Sequence, residues 1–175
     1  MDLDLSEVTA VLGRTPATLR ALLDGLPQPW LAAHEGEGTF GPVEVVGHLI
    51  HAEQTDWMPR IQLILASGET RAFEPFDRFG FREALHGRPL SALLAEFESL
   101  RQANLARLRD LALTPAHLAL RGRHPELGAV TLGQLLATWA VHDLNHVGQV
   151  VRVMGWRYVE QVGPWRQYLG ILQRR

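Results

Sequence analysis

Two histidines, His142 and His146, stand four residues apart in the segment TWAVHDLNHVGQVVRVM. On an α-helix such residues are neighbours, about 5–6 Å apart at Cβ, and a neutral imidazole offers a lone pair to a metal ion. The pair therefore has the spacing of two ligands to one ion. The same spacing suits two half-exposed histidines that a helix merely carries, and in a chain with 8 histidines the motif alone leaves both readings open. At about 100° per residue, His142, His146, Gln149 and Val153 share one narrow stripe, at the border of an apolar arc of Leu136, Ala140, Leu144, Val147, Val151 and Met154. Asp143 projects to the apolar side of the same helix. A carboxylate there needs a partner, either the N–H of a metal-bound histidine or an arginine.

A third ligand is available in EVVGHLIHAEQTDWMPRIQLIL. His48, flanked by Val45 and Ala52, lies at the edge of an arc of Val46, Leu49, Ile50, Trp57, Ile61 and Ile64, and so repeats the border position of His142 and His146. His51 lies further toward the polar side and ranks below it. One histidine from this helix and two from the other supply three nitrogens and leave a coordination position open, which a catalytic metal needs. Glu53, Asp56 and Arg60 also face inward, and the i, i+4 spacing of Asp56 and Arg60 predicts a buried ionic cluster that fixes helix packing. Di-iron carboxylate chemistry needs Glu-x-x-His on two helices; the instance here, Glu83 to His86, falls in an irregular segment and is set aside. His34, His86, His117 and His124 lie in connections and read as surface residues.

The elements that position these residues are long helices. A first helix is expected from Leu5 to Leu26, restarted or bent where Thr15 and Pro16 form an N-cap and N1 pair. A second runs from about Pro42 to Ser67, kinked at Pro59 and stopped by Gly68. Residues 69–88, with Phe73, Phe76, Phe79 and Phe81, are too irregular for one helix and are expected to fold over the body with their rings inward. A third helix carries Leu90, Leu93, Leu94, Phe97, Leu100, Leu105, Leu108 and Leu111 near the helical period. After a connection with room for a short helical turn, Thr131 caps a fourth helix to about Met154, and GPWRQYLGILQRR suggests a short fifth. AVTL is the one β-branched patch and is too short to change an all-α class; the pattern is that of an antiparallel bundle.

Composition sets the bounds. A chain of 175 residues with 46% hydrophobic content forms one compact domain that buries roughly 70% of its unfolded surface. A net charge of -2 lacks the basic stripe of a nucleic-acid binder and does not favour a membrane surface. With no cysteine, disulfides, thiolate ligands and a cysteine nucleophile are excluded, so any metal is held by nitrogen and oxygen. All 17 basic residues are arginine, which removes lysine chemistry. The acidic start, MDLDLSEVTA, has no signal-peptide pattern, and no apolar run reaches the about 18 residues of a membrane span, so a soluble cytoplasmic protein is expected.

GHLIHAEQTDWMPRIQLIL, followed some way on by HPELGAVTLGQLLATWAVHDLNHVGQVVRVM, resembles the DinB-like family of metal-binding four-helix bundles. The resemblance extends from the first helix to about Met154 and implies one DinB-like domain over residues 1–175. It implies an up-down-down-up arrangement with a long connection between the second and third helices. It also implies a divalent metal, commonly zinc or nickel, held by His48, His142 and His146; their helix positions leave Asp143, Gln149 and His51 as supporting or pocket candidates. Related members transfer low-molecular-weight thiols such as bacillithiol or mycothiol to electrophiles. The expected activity is thus a metal-dependent thiol S-transferase acting on a small-molecule substrate, the alternative being a non-catalytic, stress-related metal-binding module. A homodimer is implied as well.

Overall fold

The computed structural model describes residues 3–173. In chain order the elements are α1 (Leu5–Leu12), α2 (Thr15–Leu23), the short α3 (Gln28–Leu31), α4 (Pro42–Thr55), α5 (Trp57–Ser67), α6 (Leu90–Asp110), the short α7 (Pro115–Leu118), strands β1 (Arg121–His124) and β2 (Gly128–Thr131), and α8 (Leu132–Trp156). Four helical limbs form the bundle: α1 with α2, α4 with α5, α6, and α8. Within it α4 packs on α6, α1 on α8, α2 on both α6 and α8, and α4 and α5 on α8.

The limb boundaries follow local chemistry. α1 and α2 are separated at Gly13 and Arg14; the restart expected at Thr15-Pro16 is present, but Arg14 is the cap and Thr15 the first helical residue. The second limb is two helices meeting at Asp56. Pro59 has no N–H for the Thr55 carbonyl and its ring crowds that oxygen, so the ladder opens one turn before the proline rather than at it. The limb stops at Gly68, whose φ is 55°. At the start of α8, Thr131 Oγ1 accepts from Gln134 N at 3.1 Å while Gln134 Oε1 accepts from Thr131 N at 2.8 Å, a reciprocal cap.

Two apolar clusters make up the core. One includes Leu12, Met58, Ile61, Leu108, Leu136 and Trp139; the other includes Leu19, Leu23, Leu49, Leu93, Phe97 and Val150. Along each limb the switch between clusters occurs at a polar layer: the Leu12 carbonyl, Glu53 on α4, Arg101 and Asn104 on α6, and Asp143 and His146 on α8.

Residues 69–88 form the expected ordered connection over the body. Phe73 and Phe81 are buried and Phe76 half-buried, whereas Phe79 is exposed. Gly47 permits this cover to sit on α4, because a Cβ there would lie 2.7 Å from Leu85 Cδ2 and 2.9 Å from Phe81 Cδ2.

The structure refines three regions. The stretch containing AVTL is paired: Gly128–Thr131 forms an antiparallel hairpin with Arg121–His124, joined to the cover through Phe73 N, which donates to the Arg123 carbonyl at 2.9 Å. In place of a fifth α-helix there are two 3₁₀ segments, Gly163–Tyr168 and Gly170–Leu172, since Gly163, Pro164 and Gly170 interrupt any longer ladder; Arg174 and Arg175 lie outside the described residues. On α8, Leu144 is 56% exposed rather than part of the apolar arc. The buried face runs through Leu132, Leu136, Trp139, Asp143, His146, Val150 and Val153. Two polar residues occupy it, so a hydrophobicity pattern places its centre too far round the helix.

Candidate metal centre

His48 projects from the middle of α4, and His142 and His146 from consecutive turns of α8, where the two helices pack. Their Nε2 atoms converge: His142 Nε2 lies 3.2 Å from His48 Nε2 and 3.2 Å from His146 Nε2. One ligand atom from each ring falls within 4.8 Å of the others, a grouping that can hold a metal ion. Two nitrogens each about 2.05 Å from a tetrahedral ion are about 3.3 Å apart, so the observed spacing needs little adjustment.

The rings are held in the ligating form. Burial lowers the His48 pKa to about 4, helped by the neighbouring His146; the Arg78 backbone approaches closely enough to oppose this, but not in hydrogen-bond geometry. Burial lowers His142 to about 3, again with His146 and His48 adding to the effect. Burial also lowers His146, against the hydrogen bond to Gln149 and the charge of Asp143. All three imidazoles are therefore neutral at pH 7. His146 Nδ1 lies 2.9 Å from Gln149 Oε1. With the amide oxygen as acceptor, Nδ1 carries the hydrogen and Nε2 keeps its lone pair for an ion. Phe40, Phe76 and Phe81 surround the His48 ring at centroid distances of 5.5, 5.5 and 6.1 Å and keep bulk water away.

Asp143 does not orient a histidine. Its Oδ2 accepts from Arg101 Nη1 at 2.5 Å and its Oδ1 from Arg101 Nη2 at 3.1 Å. The same guanidinium donates to Glu53 Oε1 from Nη2 at 2.7 Å and from Nε at 3.1 Å, and to the Leu12 carbonyl from Nη1 at 2.7 Å. Trp139 Nε1 and Asn104 Nδ2 complete the shell of Glu53 at 3.1 and 3.0 Å. Burial disfavours the Arg101 charge, but Asp143 and Glu53 outweigh it and raise the pKa. The network joins every limb of the bundle and fixes the turn of α8 that carries His142. Arg101 and Asn104 escaped the sequence reading, yet a signal existed: they share the helix face of Phe97 and Leu108.

The expected Asp56–Arg60 pair is present, Arg60 Nε lying 2.7 Å from Asp56 Oδ1, while Glu53 belongs to the Arg101 network instead. His51 stays outside the triad, stacked obliquely near Phe76 at 5.3 Å. His34 and His86 are exposed and His117 caps α7. His124 departs from its surface reading: with Asp56, Trp57, Arg60, Phe76 and His142 it lines a recess of about 310 Å³. A larger cavity, about 830 Å³, lies between α8 and the C-terminal segment, lined by Glu35, Arg152 and Trp156, but contains none of the triad. Of the triad, His142 lines the smaller recess.

Fold and site together define a helical bundle with three histidines grouped so that they can hold a cation, one of which lines a small recess. Residues 12–150 match the DinB superfamily, and the chain belongs to that superfamily. Among solved structures, one from Bacillus subtilis, YfiT, described as a probable metal-dependent hydrolase with an unusual four-helix bundle topology, superimposes with a TM-score of 0.73 at 22% identity, covering 90% of this chain and 87% of that one. This likeness establishes the fold. No curated protein matches the chain. Among the described residues no helix is long and apolar enough to cross a membrane.

Proposed function

We propose that residues 1–175 form one metalloenzyme domain in which His48, His142 and His146 hold a divalent ion, zinc or nickel, and which transfers a low-molecular-weight thiol to an electrophile. The convergence of three neutral imidazoles, with His142 Nε2 3.2 Å from both His48 Nε2 and His146 Nε2, carries this reading. An ion held there lowers the pKa of a thiol placed in its open coordination position.

The protein's own residues supply the rest. Gln149 holds the His146 tautomer, and the Arg101 network holds α8 in register with α4. Phe40, Phe76 and Phe81 exclude water, and Trp57 and Phe76 offer an apolar wall to a substrate in the recess. The transfer exchanges one bond for another: the thiol gives up its proton, the sulfur bonds to the electrophilic carbon, and the leaving group departs with its electron pair. Asp56 lines the recess and burial raises its pKa despite Arg60 and His51, which supports it as the acceptor of the proton. Because the chain has no cysteine, the sulfur comes from the cosubstrate. Exposed Val141 and Leu144 on α8 suit coverage in a homodimer, and with no basic stripe the partners are small molecules rather than nucleic acid.

Asp56 supports a second reading, hydrolysis, since a carboxylate of raised pKa can equally take a proton from water. The deciding experiment incubates metal-loaded protein with thiol and electrophile pairs and, separately, with ester and amide substrates. Thiol transfer that disappears in His142→Ala supports the first reading, and hydrolysis alone supports the second. Full metal occupancy with no turnover of any kind leaves the non-catalytic binding module.

A further inference from the structure

One wall of the recess beside His142 has no part in the reading above: the turn of the hairpin. His124 is the last residue of β1, and its Nδ1 accepts the backbone N–H groups of Glu126 and Leu127, each at 3.2 Å. A ring nitrogen that accepts cannot carry the hydrogen, so in the neutral ring Nε2 holds the proton and is a donor. The neutral ring prevails because burial and the Arg60 guanidinium hold the His124 pKa below its ordinary value, with Glu126 opposing. The turn is anchored to the cover, through the Phe73 N to Arg123 carbonyl bond and through the Phe73 ring, which meets the imidazole edge-on at 6.1 Å.

A fixed donor thus stands in the wall of the recess that His142 also lines. Trp57, Phe76 and Arg60 line the recess as well, together with Asp56 and Glu126.

We propose that His124 is a substrate-positioning residue, its Nε2–H donating to an oxygen of a small carboxylate- or carbonyl-bearing molecule that fills the recess and reaches the three-histidine site. The proposal rests on the reading of His48, His142 and His146 as a metal centre that admits a small molecule. Trp57 and Phe76 hold the apolar body of that molecule and His124 fixes its far end, so the residue sets orientation and selectivity without touching the reacting atoms.

The test uses the full chain loaded with cobalt(II), titrated with thiophenol and with 3- and 4-mercaptobenzoate, and followed by the sulfur-to-cobalt absorption band. A ring carboxylate in these positions cannot chelate the ion that the sulfur binds, so any preference over thiophenol reports the far end of the recess. The wild type is expected to prefer at least one mercaptobenzoate, and His124→Ala to lose that preference by about tenfold, the worth of one hydrogen bond. Affinity for thiophenol and for cobalt stays unchanged. His124→Asn guards against a collapsed hairpin: its side-chain oxygen can still accept the turn N–H groups, but its amide falls short of the recess. It is expected to behave as His124→Ala does. A nitrogen-15 spectrum of the imidazoles is expected to show His124 protonated at Nε2.

Cobalt binding with a mercaptobenzoate preference that survives in His124→Asn overturns the role of His124 alone, as does a proton on Nδ1 or a wild type without preference. Failure to bind cobalt at all removes the metal centre, and the role of His124 with it.

Discussion

Replacing Arg101 by methionine removes the one cation of the polar layer while keeping an apolar stem of similar length. Arg101 is 1% exposed and both of its carboxylate partners are 0% exposed. Glu53 retains Asn104 and Trp139 as donors, but Asp143 loses both of its guanidinium contacts. Breaking a buried pair from one side costs about 3–5 kcal/mol, because a charge remains without compensation. Two stranded carboxylates place this case toward the upper end. Against a total stability of about 5–15 kcal/mol the variant still folds in the cold, with a Tm lower by roughly 6–20 °C at about 2–4 °C per kcal/mol. Urea unfolding followed by circular dichroism reads the loss directly. Adding Glu53→Gln and Asp143→Asn should restore much of the stability, since no buried charge then lacks a partner. A loss under about 1 kcal/mol in Arg101→Met would refute the view that this guanidinium holds the layer together.

The histidines make the metal-free protein less stable toward acid. Their folded pKa values lie below the unfolded value of about 6.5, so the unfolded chain takes up protons first and stability declines as pH falls through that point. The decline continues toward about 4 for His48 and about 3 for His142, and a urea midpoint that stays flat from pH 7 to 4.5 would contradict it. Gln149→Leu removes the acceptor of His146 Nδ1 and is expected to weaken metal binding about 10–100-fold, measured by competition with a chelator, whereas Gln149→Glu retains most of the affinity. Gly122→Val drives a Cβ to 2.6 Å from Ile64 Cγ1 and 3.0 Å from the Phe73 ring. It is expected to cost about 1–3 kcal/mol and to speed amide exchange at Phe73 as the hairpin lifts.

Helical limbs and the three-histidine group were legible for different reasons. Leucines at helical spacing, Gly41-Pro42, Thr131 and Gly68 mark the limbs because capping and periodicity are local effects, decided within a turn or two of chain. His142 and His146 were legible as a pair for the same reason, being one turn apart. Their convergence with His48, 94 residues away, is not local and was suggested only by the shared border position and the family resemblance. The polar layer was harder still. Arg101 shares the helix face of Phe97 and Leu108, but what makes its burial tolerable is Glu53 and Asp143, which two other limbs bring to it.

The sequence by itself determined an all-α chain without cysteine or lysine, a histidine pair ready for a metal, and a long connection too irregular to be helical. Each follows from composition or from contacts within a few residues. Tertiary structure alone decided that Asp143 serves Arg101 rather than a histidine, that Leu144 faces solvent, and that half-buried His124 lines a recess together with His142. Those outcomes depend on which groups lie across a packing interface, where burial makes an unpaired charge costly, and no spacing along one strand of sequence encodes that choice.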